Sequence, residues 1–89
     1  MNLDSLSASD EFFMDFANRK FSPQERARIL KAMDLLANDE RHPSLRVHAL
    51  RGDLAGLWSA SVTDSIRIHF VRLSEGRKRC VNITKHYKD

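Results

Sequence analysis

The hydrophobic period of this chain changes once, near Pro43, and that change limits the folds open to it. Before it, apolar residues recur at helical spacing; from Leu45 onward they alternate with polar ones. Helices followed by a run of strands predict an α+β domain. Short turns pair successive strands into a mainly antiparallel, twisted sheet, and the two N-terminal helices must cover its apolar face. Eighty-nine residues suffice for one such core and are too few for two, so residues 1–89 are expected to form a single domain.

The first helix is predicted over residues 7–20. Ser7 or Ser9 would cap it, Asp10 and Glu11 occupy the first turn, and Phe12, Phe13, Phe16 and Ala17 form the apolar stripe. Arg19 and Lys20 would then sit at its negative end. Ser22-Pro23-Gln24-Glu25 is the sharpest local signal: a serine cap, proline at the first helical position and a glutamate that closes a capping box. The helix it starts should run to about Glu40, with Ala27, Leu30, Met33 and Leu36 or Ala37 turned inward, and His42-Pro43 should stop it.

Strands are predicted over Arg46–Leu50, Leu57–Thr63, Ile66–Leu73 and Cys80–Thr84. The Gly52–Gly56 turn, the Asp64-Ser65 link and a loop over Ser74–Lys78 connect them. Alternation places Ile66, Ile68 and Phe70 on one face and Arg67, His69 and Val71 on the other. Trp58, Ala60 and Val62 share a face, which makes Trp58 a core anchor. On the last strand Val81 and Ile83 are the apolar positions, so Asn82, Thr84 and His86 point away from them. If the last two strands pair, Arg67 and His86 share one open surface. A fixed cation beside a titratable imidazole binds a phosphate and moves a proton next to it.

Charge is distributed in the same sense. Residues 1–40 hold five Lys or Arg against eight Asp or Glu, residues 41–89 ten against four, and all four histidines fall in the second half. A basic, histidine-bearing half suits a polyanion. One cysteine, Cys80, excludes a disulfide framework or a cysteine-rich metal site, and no histidine spacing matches a recognised ligand motif, so neither metal nor small-molecule cofactor is expected. No apolar run approaches membrane-spanning length, and the first ten residues carry two acids and no base, unlike a signal peptide; a cytoplasmic location is the expectation.

Three motifs recur together here: Leu50-Arg51-Gly52-Asp53-Leu54-Ala55-Gly56-Leu57-Trp58-Ser59, Asp64-Ser65-Ile66-Arg67-Ile68, and the terminal His86-Tyr87. In this order and spacing the chain resembles the RelE/ParE superfamily of toxin–antitoxin toxins and is most similar to the YoeB, YafQ and HigB branches. The similarity runs from about His42 to Tyr87; the helical half agrees in architecture only. The resemblance implies a RelE-like fold and a toxin that enters the ribosomal A site, cleaves mRNA and is silenced by a cognate antitoxin. Arg67 falls on the arginine that stabilises the scissile phosphate in YoeB-like toxins, and His86 and Tyr87 on that branch's terminal catalytic pair. His48 stands where YoeB-like toxins have a glutamate and YafQ-like ones a histidine. Two departures are visible: residues 2–6 are a poor version of the family's first strand, and Ser61 and Ser65 replace a His and an Asp that YafQ-like toxins use in catalysis.

The chemistry stands without the resemblance. Removing the proton of an RNA 2′-hydroxyl lets that oxygen attack the adjacent phosphorus and expel the 5′-oxygen, leaving a cyclic phosphate. A base, an acid and positive charge on the phosphoryl oxygens are needed, and no metal. Arg67 is the expected charge stabiliser, His48 and His86 the base and acid in either order, and Tyr87 a stacking or proton-transfer partner. Arg46, Arg51, His69, Arg77, Lys78, Arg79, Lys85 and Lys88 are the expected RNA contacts. The rival readings are a ParE-like toxin acting on DNA gyrase, a catalytically silent relative that keeps antitoxin binding, and a general nucleic-acid-binding domain. The last lacks an exposed aromatic platform if Trp58 is core.

Overall fold

Two serines start the two helices of the computed structural model, which describes residues 5–86. Ser9 Oγ accepts the Phe12 amide at 3.1 Å and opens helix α1, Asp10–Phe16. Ser22 Oγ accepts the Glu25 amide while Glu25 Oε1 accepts the Ser22 amide at 2.8 Å, the reciprocal capping box that starts helix α2, Pro23–Asn38.

The first helix is shorter than its sequence pattern predicts, and the reason is a strand. Leu6–Ala8 form β1, and Ser9 extends that pairing by donating its amide to the Cys80 carbonyl and its hydroxyl to the Val81 carbonyl. Arg19 and Lys20 lie beyond the helix end. The cation at that end is instead Arg26 of α2, whose guanidinium donates to the Phe16 and Asn18 carbonyls, both at 2.9 Å. The α2 stripe is also rotated from the predicted one: Ile29, Ala32, Met33 and Leu36 are buried, whereas Ala27 and Leu30 are exposed.

The remaining strands are β2 (His48–Ala49), β3 (Trp58–Ser61), β4 (Ile66–Arg72) and β5 (Lys78–Lys85). They form one sheet in the order β1-β5-β4-β3-β2, antiparallel except for the parallel β1–β5 pair. The predicted Arg46–Leu50 strand shrinks to two residues because a 3₁₀ turn over Pro43–Leu45 leads into Arg46 at φ +45°, a left-handed residue that cannot continue a strand. The last strand begins two residues earlier than predicted.

Ile66, Ile68 and Phe70 are fully buried and meet Phe12, Phe21, Ile29 and Leu36 in one core. A bulge sets how β5 joins it. His69 pairs with Asn82 but Phe70 pairs with Cys80, so Val81 is an extra residue. Cys80 and Ile83 therefore both face the core although they lie three positions apart, and Val81 does not share that face as plain alternation predicts. Burial pushes the Cys80 thiol up to about 12, the mark of an inert structural cysteine. Trp58 packs at the rim of the core, half-buried, stacked on Phe70 with ring centroids 6.5 Å apart.

Candidate active site on the open sheet face

Strand register builds the site. Residues directly opposite on paired strands point the same way, so β4 carries Arg67 and His69 onto the face the helices leave open. One row across the sheet reads His48, Ser59, His69, Asn82 on β2, β3, β4 and β5. The next reads Ser61, Arg67, Thr84. His86 follows Thr84 by two residues and continues the ladder through its amide, which donates to the Ser65 carbonyl at 2.9 Å. Three histidines and one arginine thus share a surface, with Arg67 between His48 on one side and His86 on the other.

Arg67 is held by the β3–β4 turn. Its Nη1 donates to the Thr63 carbonyl and, at 3.3 Å, to that of Ile66. The turn is itself stiffened: Thr63 Oγ1 accepts the amides of Ser65 at 3.2 Å and Ile66 at 3.1 Å. A guanidinium has five N–H donors, so the remainder stay available for a phosphate. His48 is exposed, and its Nδ1 lies 2.8 Å from the Arg46 carbonyl. A carbonyl only accepts, so Nδ1 carries the proton, and in the neutral form of the ring Nε2 is the nitrogen left to accept. Arg46 reaches that position through its left-handed backbone.

His69 is half-buried, and burial holds its ring below the usual histidine range. The Asn82 carboxamide beside it offsets part of this, and repulsion from His86 adds to the lowering. The ring is neutral at neutral pH, a hydrogen-bonding group rather than a fixed cation. Asn82 Oδ1 and Thr84 Oγ1 are buried without a well-formed hydrogen bond among the described residues, the contact of Asn82 with His69 being a looser one. Buried polar atoms left unpaired cost free energy, and here they cluster beside Arg67 and His69. Sequence reasoning turned both side chains to this face without giving them a role; Thr63 it missed, and a threonine opening the Asp64-Ser65 link was the available signal.

The other predicted contacts divide by face. Arg51, Arg77 and Arg79 are exposed, Arg79 opposite Val71 on the open side. Lys78 and Lys85 are corrections. Lys78 is 6% exposed on the helix side, 3.2 Å from Glu40 Oε1. Lys85 lies opposite Ile66 on the same side, 2.9 Å from Glu25 Oε2 and donating to the Lys20 carbonyl. Both bridge sheet and helices, and neither lies on the open face. Tyr87 and Lys88 lie outside the described residues. Among the described residues no three metal-ligating side chains come together, and no helix is long and apolar enough to cross a membrane.

A small mainly antiparallel sheet, covered by two helices on one side and presenting arginine and histidine on the other, defines a narrow structural class. Solved structures share it: the chain has the fold of the YoeB/ParE, RelBE2 and YafQ toxins. The YoeB/ParE toxin from Agrobacterium tumefaciens superposes with a TM-score of 0.66 at 24% identity, over 93% of this chain and 99% of that one. The RelBE2 toxin–antitoxin complex from Mycobacterium tuberculosis gives 0.70 at 20%, covering 92% and 96%. YafQ from E. coli gives 0.72 at 18%, covering 91% of each chain. No protein-family model matches the sequence, and no curated protein matches it significantly.

Proposed function

We propose that this protein is the toxin of a toxin–antitoxin pair and acts as a ribosome-dependent mRNA endonuclease through metal-independent attack of a 2′-hydroxyl. The observation that carries this reading is the placement of Arg67 between His48 and His86 on one open face. His86 follows the strand next to that of Arg67 and His48 stands two strands away on the other side, so a phosphate on Arg67 has one imidazole to either side. In-line displacement requires that geometry, because the attacking and leaving oxygens lie on opposite sides of phosphorus. His48, whose Nδ1 is tied to the Arg46 carbonyl so that Nε2 is the nitrogen left to accept, is the base; His86 is the acid; Arg67 holds the phosphoryl oxygens and stabilises their growing charge. Neutral His69 and the exposed Arg51, Arg77 and Arg79 hold the flanking strand, and Tyr87 stacks on a base. The partner is an acidic antitoxin that covers this basic half, in keeping with toxin–antitoxin complexes among the structures of the same fold.

Single-turnover cleavage on programmed ribosomes tests the reading. Cleavage is expected to persist in chelator, to leave a 2′,3′-cyclic phosphate and to follow a bell-shaped pH profile. Arg67→Ala should lower the rate by about a hundred- to a thousandfold with little change in the thermal melt. His48→Gln and His86→Gln should each cost about a hundredfold, and together less than the product, because they serve one step. DNA damage in cells without cuts inside mRNA codons would instead assign the protein to gyrase.

A further inference from the structure

A second groove, of about 390 Å³, opens on the helix side of the sheet between the end of α2 and the β2–β3 pair. Trp58, Arg72, Arg41 and Arg46 are among the residues that line it. Its construction is specific. Glu40 takes Arg72 through two parallel bonds, 3.0 and 2.6 Å, fixing the guanidinium plane. That plane lies over the Trp58 ring, 4.2 Å from its centroid. Arg72 is thus a rigid, flat cation backed by an aromatic ring and still partly exposed. The one carboxylate in the groove is spent on Arg72 and Lys78, whereas Arg41 and Arg46 are exposed and have no partner among the described residues. The surplus charge is positive and lies beside the flat surface.

A flat guanidinium with two unpaired arginines next to it suits a base joined to a phosphate. We propose that this groove binds one nucleotide of an RNA strand, the base stacked on the Arg72 guanidinium and the phosphate held by Arg41 and Arg46. The volume lies within the range of small-molecule sites. Connection to the open face is short. Arg46 and His48 flank Val47 at the sheet's outer edge, where β2 is two residues long, so a strand leaving His48 turns one narrow edge to reach the groove. The polymer's identity as RNA rests on the function proposed above; the nucleotide site itself does not depend on cleavage.

Trp58 is the chain's one tryptophan, so its fluorescence reads this groove directly. Titration of the intact protein with adenosine 5′-monophosphate at constant ionic strength should quench it saturably, at least tenfold more tightly than adenosine or inorganic phosphate alone. Replacing both exposed cations, Arg41→Gln with Arg46→Asn, should weaken the nucleotide at least tenfold while the thermal melt holds; asparagine tolerates the left-handed backbone at 46. Arg67→Ala should lower cleavage by about a hundred- to a thousandfold, as loss of an oxyanion-stabilising group does, and leave the quenching intact. Absence of saturable quenching overturns the proposal, as does quenching indifferent to the double variant. Quenching lost in Arg67→Ala but kept in the double variant would move the nucleotide to the open face. If the wild type binds AMP here but cuts no RNA, the groove stands and the nuclease reading falls.

Discussion

Glu40 shows how one residue can hold two layers of this molecule together. Its carboxylate, bound by Arg72 and then by Lys78, is held down at about 2 against an ordinary 4.5. A folded-state value below the unfolded one means stability that is fully present above about pH 4.5 and lost as pH falls toward 2. Because the group is partly exposed, screening reduces the contribution to about 1–2 kcal/mol. Glu40→Gln should therefore flatten the acid limb of a pH–stability curve. At pH 7 it should lower stability by about 3 kcal/mol, since Lys78 is left buried and unpaired. Lys78→Met, which removes the charge and keeps the volume, should be close to neutral in the same denaturant melts. A large loss in Lys78→Met would show that the ammonium itself is required.

At the scale of elements, the sheet edge is managed by side chains. β1 covers only the first three residues of β5, and beyond it the outer edge of β5 is closed by α1: Ser9 Oγ donates to the Val81 carbonyl and Asp15 Oδ2 accepts the Ile83 amide at 3.0 Å. Asp15 thus takes a position that a strand would otherwise fill, and protects the edge from pairing with another chain. Asp15→Ala should cost about 1–3 kcal/mol by leaving that amide unpaired, with Asp15→Asn closer to wild type because an acceptor remains. Hydrogen exchange at the Ile83 amide is the direct measurement. Unchanged protection in the alanine variant would show that water or another group replaces the carboxylate.

For the whole molecule, the β5 bulge is what reconciles core and site. Cys80 must face the helices and Asn82, Thr84 and His86 the open side, and the extra residue at Val81 sets that register. Deleting Val81 leaves Cys80 and Ile83 two residues apart, still on one face, and the chain should keep a cooperative melt within about 2 kcal/mol of wild type. Deleting Arg79 instead turns Lys78 to the open face and strands Glu40, and should cost more than about 3 kcal/mol. Urea melts of the two deletions separate these outcomes, and equal losses would refute the register argument.

What the sequence by itself determined was whatever short-range chemistry enforces. The Ser22 box starts α2 because its four residues cap each other, and alternation from Ile66 to Phe70 divides β4 into a core face and an open face without reference to any other strand. Arg67 was therefore legible, and so was its sharing of a surface with His86. The tertiary structure alone decided the rest, because it depends on contacts far apart in the chain. Three residues, Leu6–Ala8, carry too little pattern to be read as a strand, and they become one only against β5, some 72 positions away. Lys78 and Lys85 look like surface cations until Glu40 and Glu25 meet them across the helix–sheet interface. Trp58 read as a buried anchor; the Glu40–Arg72 pair, 32 residues apart, makes its rim position part of a groove's lining. Periodicity reports which way a side chain points, but only chain closure decides what it meets there.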